Sequence, residues 1–150
     1  RISEYAEAYR GTAEMALESR AQGRAFLDAV RRAWPHPRLD AWTRELAAAE
    51  RSPAYPVAVG VAAALAGIPR DHAVTAYLHA VAANLVSAGV RLVPLGQSDG
   101  LAVLAALEAP VRAAAKDALS RDLDDIGTAT IMVDWTSMQH ETQYTRLYRS

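Results

Sequence analysis

The sequence contains no cysteine. That excludes a cysteine nucleophile, a thiolate-bound zinc or iron–sulfur centre, a disulfide framework and a thiol redox switch. Aromatic side chains are few, with one Phe and three Trp in 150 residues, and Lys116 is the single lysine. Neither sign of charge dominates. The formal net charge is −1, which argues against a dedicated nucleic-acid binder, because that needs a basic stripe. With 51% hydrophobic and 22% charged residues, the composition is not that of a disordered chain. A chain of this size buries about 68–70% of its unfolded surface, enough for one domain without covalent staples. Residues 1–150 are therefore read as a single helical domain. There is no initiator Met, and Arg1-Ile2-Ser3-Glu4 runs directly into a helical pattern. This reads as the C-terminal portion of a longer protein whose N-terminal region is absent. No basic segment followed by an apolar stretch marks an export signal, so a cytoplasmic protein is expected, with no membrane and no nucleic-acid partner.

What the sequence has in abundance is alanine, 33 residues of 150. Alanine loses no side-chain entropy in a helix and is the best helix former. β-Branched residues cluster only near the C-terminus. The expected fold class is all-α, a compact bundle of about six helices packed through small residues, with a polar–aromatic C-terminal tail. Charge is unevenly spread. Residues 1–51 hold nine Arg and eight acids, residues 108–150 hold five bases and seven acids, and the 56 residues between hold only Arg70, Asp71, Arg91 and Asp99. So apolar a middle stretch must be mostly buried, in its own core or against a partner.

The first helix is expected over about 3–34, with a break near Gly11, and Trp34-Pro35-His36-Pro37 stops it. Asp40 is the expected N-cap of a short second helix ending near Glu50. Pro56 to Ala66 is apolar on every face and predicts a central buried helix capped by Gly67. Asp71 to Leu92 is long enough to cross a bilayer, but His72, His79, Asn84, Ser87 and Arg91 favour a buried helix of a soluble fold. After a loop at 95–100, Ser98 or Asp99 is expected to cap a helix from about Gly100 to Leu119, kinked or restarted at Pro110. An acidic turn follows at 121–127. Ile131, Trp135 and Met138 fall at i, i+4 and i+7 and predict a last helix over about 130–141.

Motifs for catalysis fail one by one. Gly96-Gln97-Ser98-Asp99-Gly100 lacks the Lys of a phosphate-binding loop, and Asp99 would repel phosphate. His140-Glu141 suggests a zinc protease, but the second His would fall at Tyr144. The pair could serve a small hydrolase as base and orienter, yet no nucleophile or metal partner accompanies it. A hydrogen-bonded pair at a helix end is the simpler reading. His72 and His79 are seven apart, whereas helical metal pairs favour four. Asp122, Asp124 and Asp125 lack the Gly and Glu of a calcium loop. The expectation is a protein with no catalytic residues, no metal site and no cofactor.

The tail is different. Tyr144, Arg146, Leu147, Tyr148 and Arg149 string together the residue types that anchor protein interfaces, although a frayed terminus is the common alternative. Arg91 is the one base between Arg70 and Arg112. It either complements a helix dipole or projects toward a partner.

Two stretches resemble a known family. Ser87-Ala88-Gly89-Val90-Arg91-Leu92-Val93-Pro94-Leu95-Gly96-Gln97-Ser98-Asp99-Gly100 is similar to the central motif of the urease accessory protein UreF family. Met138-Gln139-His140-Glu141-Thr142-Gln143-Tyr144-Thr145-Arg146-Leu147-Tyr148-Arg149-Ser150 resembles its C-terminal signature. Weaker likenesses lie at Ser19-Arg20-Ala21-Gln22-Gly23-Arg24-Ala25-Phe26 and from Tyr55 through Pro69. The resemblance implies a helical, dimeric, non-enzymatic adaptor. It would bridge UreD (also called UreH) and the GTPase UreG, and reach the urease apoprotein through that complex, during nickel insertion. It implies that His140, Glu141, Tyr144, Arg146, Leu147, Tyr148, Arg149 and Ser150 dock on UreD. Arg91, Gln97, Ser98 and Asp99 would face UreG or the dimer partner. Regulation of UreG's GTP hydrolysis is the alternative role. This sequence departs from the family pattern in lacking an N-terminal helical region, in Tyr148 where Phe is commoner, and in Arg91 where some members have Lys.

Overall fold

The computed structural model describes residues 2–93 and 95–144. They form α-helices and no strand: α1 (Ile2–Ala8), α2 (Ala13–Ala33), α3 (Pro37–Ala48), α4 (Tyr55–Leu65), α5 (Arg70–Leu92), α6 (Gln97–Ser120) and α7 (Ile131–Glu141), with a 3₁₀ turn at Leu123–Asp125. The helices fall into two compact units, one holding α1 to α4 with α7, the other α5 with α6.

In the first unit, the expected break near Gly11 separates α1 from α2. The Thr12 hydroxyl accepts from the Met15 N–H at 3.2 Å and caps α2, satisfying one of its orphan amides. After Trp34 the chain restarts earlier than expected. Pro37 begins α3, where its fixed φ and missing N–H cost nothing, and His36 Nδ1 accepts from the Arg38 N–H at 3.2 Å. Asp40 is therefore not the N-cap. It lies in the first turn and accepts from Arg31 Nε at 2.8 Å, tying the end of α2 to α3.

The core is Leu27, Leu39 and Ala58, with Phe26, Val30, Trp42 and Leu46 packed around it. Ser19, Gly23 and Leu27 are the buried seam of α2. Ser19 Oγ accepts from the Tyr55 N–H at 3.2 Å, supplying the cap that Ala54 cannot. Gly23 lies directly under the Pro53 carbonyl. Phe26 meets Tyr55 edge to face at 5.6 Å. The stretch Ser19 to Phe26 is thus a seat for the start of α4. Contrary to expectation, α4 is not buried all round, since only Ala58 and Ala63 are buried. Gly67, at φ 71°, ends its turn as expected.

The end of α3 shows strain. The Arg51 N–H donates to the Leu46 carbonyl at 2.9 Å, a closure that places Glu50 in the left-handed region, at φ 52°. Glycine usually occupies such a position because it has no Cβ to clash. Glu50→Gly is expected to raise stability by about 0.5–1 kcal/mol, read from the urea midpoint. An unchanged midpoint would mean the conformation carries no strain.

α1 has no buried residue. Its exposed Glu4 accepts from Arg51 at 2.9 Å. The Arg51 hydrogen bond holds the Glu4 carboxyl below the usual carboxylate range. A depressed acid contributes stability that is present above its unfolded value and lost as pH falls through the folded one. In Arg51→Gln the Glu4 titration, followed by carboxyl chemical shift, should move up toward the ordinary value. An unmoved titration would show that the pair does not form in solution.

In the second unit, α5 and α6 pack together with Gly100 and Ala115 buried on α6. Gly100 lets the helices approach closely, as a Cβ there would stand 2.9 Å from Val90 Cγ2. α6 begins at Gln97, before the expected start, and passes Pro110 without interruption. Asp99 caps it from inside the first turn, accepting from the Gly96 N–H at 3.0 Å. The expectation of a buried α5 is overturned, because none of its residues is buried. α5 is the one described helix long and apolar enough to cross a membrane.

Candidate functional site

α7 forms where Ile131, Trp135 and Met138 predict it, with this stripe turned to solvent. These three side chains are 77%, 55% and 48% exposed. Met132 and Val133 are exposed too. The half-buried residues of α7 are its polar ones: Asp134, Ser137, His140 and Glu141. They recur at i, i+3, i+6 and i+7, so they share a face by helical geometry.

That face sits on the first turn of α2. Ser137 Oγ and Thr12 Oγ1 are hydrogen-bonded at 2.8 Å. Glu141 Oε1 accepts from the Glu14 N–H at 3.1 Å. His140 Nδ1 lies 2.9 Å from both carboxylate oxygens of Glu14. The Asp134 carboxylate lies against Gly11, where any Cβ would overlap it. A carboxylate at a helix N-terminus meets unpaired amides and the positive end of the dipole. Glu141 therefore completes what Thr12 begins.

His140 and Glu141 are thus brought to one place but not to each other. The His140–Glu141 pair imagined at a helix end, or in a hydrolase, is replaced by His140–Glu14. The polar stripe on α7 was readable in the sequence. Its partner, the start of α2 more than a hundred residues away, was not.

Beyond α7, Tyr144 is 96% exposed. Arg146, Leu147, Tyr148, Arg149 and Ser150 lie outside the described residues. In the second unit, Arg91 is exposed in the last turn of α5 and donates to Ser87 Oγ at 3.0 Å. Gln97, Ser98 and Asp99 form the exposed first turn of α6. Arg91 and this turn are close in sequence, on either side of residues 93–96.

Both histidines of α5 are exposed. His72 Nε2 lies 3.9 Å from the neighbouring Asp71, and among the described residues no cluster of three metal-ligating side chains exists. In the acidic turn, Asp125 accepts from the Asp122 N–H at 3.1 Å, a local cap. One cleft had no signal in the sequence. It has a volume of about 330 Å³ and is lined by Glu7 of α1, Leu17, Arg20 and Arg24 of α2, and Glu50 and Arg51. Its charges are of both signs, three arginines and two glutamates.

The UreF family model matches residues 1–108. The chain is similar to the urease accessory protein UreF of Azorhizobium caulinodans, at 54% identity over 99% of this chain and 63% of that relative. It is similar to the same protein of Bradyrhizobium diazoefficiens at 52% identity, over 99% and 60%, and of Rhodopseudomonas palustris strain TIE-1 at 50%, over 99% and 61%. The chain spans about six tenths of the length of these curated relatives. The matched region includes the Ser87–Gly100 stretch, and the relatives extend the match through the last helix. The chain belongs to the UreF family of urease accessory proteins.

Proposed function

We propose that the protein is a non-enzymatic adaptor in urease maturation, working in the cytoplasm between UreD (UreH) and the GTPase UreG while nickel is inserted into the urease apoprotein. The observation that carries this reading is the outward apolar face of α7, which leads directly into the Tyr144–Ser150 tail. Exposed apolar side chains in a cluster mark interaction surfaces, and Tyr, Trp, Met and Arg are the residue types enriched there. In this reading α7 and Tyr144 to Ser150 dock on UreD. His140 and Glu141 act by holding α7 on α2. Arg91, Gln97, Ser98 and Asp99 face UreG or a second copy of the chain. With four His and no Cys in the sequence, a tight private nickel site would need ligands from a partner.

The test is co-purification with UreD. The intact chain is compared with a truncation after Thr142, which spares His140 and Glu141, and with Trp135→Glu. Loss of UreD from both variants, with helical circular dichroism retained, supports the reading. Full retention by both would sink it. A second reading, regulation of UreG's GTP hydrolysis, draws on the exposed Arg91, since a guanidinium can meet charge on a transferring phosphoryl group. It requires Arg91→Ala to change UreG turnover in the complex without changing assembly.

A further inference from the structure

We propose that α7 is a releasable strap, a helix that leaves α2 as one piece while the Leu27–Leu39–Ala58 core stays intact. Four observations support this, independently of any partner. First, α7 has no buried residue. Second, every side chain it half-buries is polar, namely Asp134, Ser137, His140 and Glu141. Third, its hydrogen bonds to α2 all end at Thr12 and Glu14, within the cap and first turn. Fourth, the apolar side chains that would resist leaving, Ile131, Trp135 and Met138, already face solvent.

The physics follows from what release exposes. Polar groups that separate regain hydrogen bonds to water, so each contact contributes only the small net difference. The His140 Nδ1–Glu14 contact is one more polar contact of this kind, with side chains 35% and 14% exposed. Burial of apolar area is what makes an element cooperative with its core, and every large apolar side chain of α7 is about half exposed or more. Thr12 keeps its own bond to the Met15 N–H after release. The start of α2 therefore loses the Ser137–Thr12 hydrogen bond, the Glu141 cap, the His140–Glu14 contact and the Asp134 carboxylate against Gly11. Release needs no partner, but it would let the apolar face and the following tail reorient to meet one.

Amide hydrogen exchange on the full chain tests this. Protection of residues 131–141 should be about tenfold or more below that of residues 19–30, because the strap opens without global unfolding. In Ser137→Ala/His140→Ala, exchange of 131–141 should quicken by about tenfold while 19–30 is unchanged. Alanine is the better helix former at both positions, so faster exchange could come only from the lost seat. Equal protection of α7 and the core in the parent chain would overturn the proposal. So would a double variant that quickens both together, or one that leaves α7 unmoved.

Discussion

Gly23→Ala is expected to destabilise the first unit by about 3 kcal/mol or more, through overpacking where relaxation is blocked. A Cβ at this position would overlap the Pro53 carbonyl oxygen and lie 3.1 Å from the Ala54 carbonyl carbon. Both are backbone, and both belong to the turn that starts α4. The clash cannot be relieved by a rotamer change. It can be relieved only by lifting α4 from α2, which would also break the Ser19 bond to the Tyr55 N–H and part the Phe26–Tyr55 rings. Gly100→Ala is the control in the second unit. Its Cβ would press on a Val90 methyl at 2.9 Å, a side chain and not backbone, so a smaller cost of about 1 kcal/mol is expected. Chemical denaturation of both variants checks the ranking. Equal costs would mean that α4 does not seat on Gly23 as described.

Leu39→Ala is expected to cost about 2–5 kcal/mol, the range for emptying a fully buried leucine site. Leu39 is 1% exposed and is the largest side chain so completely enclosed among the described residues. Its neighbours Leu27 and Ala58 are themselves fixed by the α2–α4 seat, so the cavity has little freedom to collapse. Leu85→Ala should be near neutral by comparison, because Leu85 is 70% exposed and its removal takes no packing with it. Urea midpoints at constant slope measure both. A Leu85→Ala cost matching that of Leu39→Ala would show that α5 has a covered face after all.

Local chemistry made the helices legible, and nonlocal chemistry hid their faces. Gly11, the Trp34–Pro37 stop, Gly67 and the Ile131–Trp135–Met138 spacing each act within a turn or two, and each marked a boundary close to where it lies. The caps were less legible, because two sites competed at each start. Pro37 overrode Asp40, and Gln97 rather than Gly100 opened α6 with Asp99 reaching back. The spacing on α7 gave a helix and did not give the direction in which its apolar stripe faces. Here the start of α2 offers unpaired amides, and the polar stripe satisfied them. For α5, the low charge of the middle stretch led to the expectation of burial. Composition said that its surface would be covered, and it did not say by what. The residues resembling the family tail and central motif could be named from the sequence. The pairing of His140 with Glu14 joins positions too distant for any spacing rule.

The outward face of α7 has a consequence for the protein as a cellular species. A chain displaying Ile131, Met132, Trp135 and Met138 to water carries a patch of the kind that recruits chaperones or drives self-association. Its steady-state abundance should then follow that of whatever covers the patch, because an uncovered copy is removed by quality control faster than a covered one.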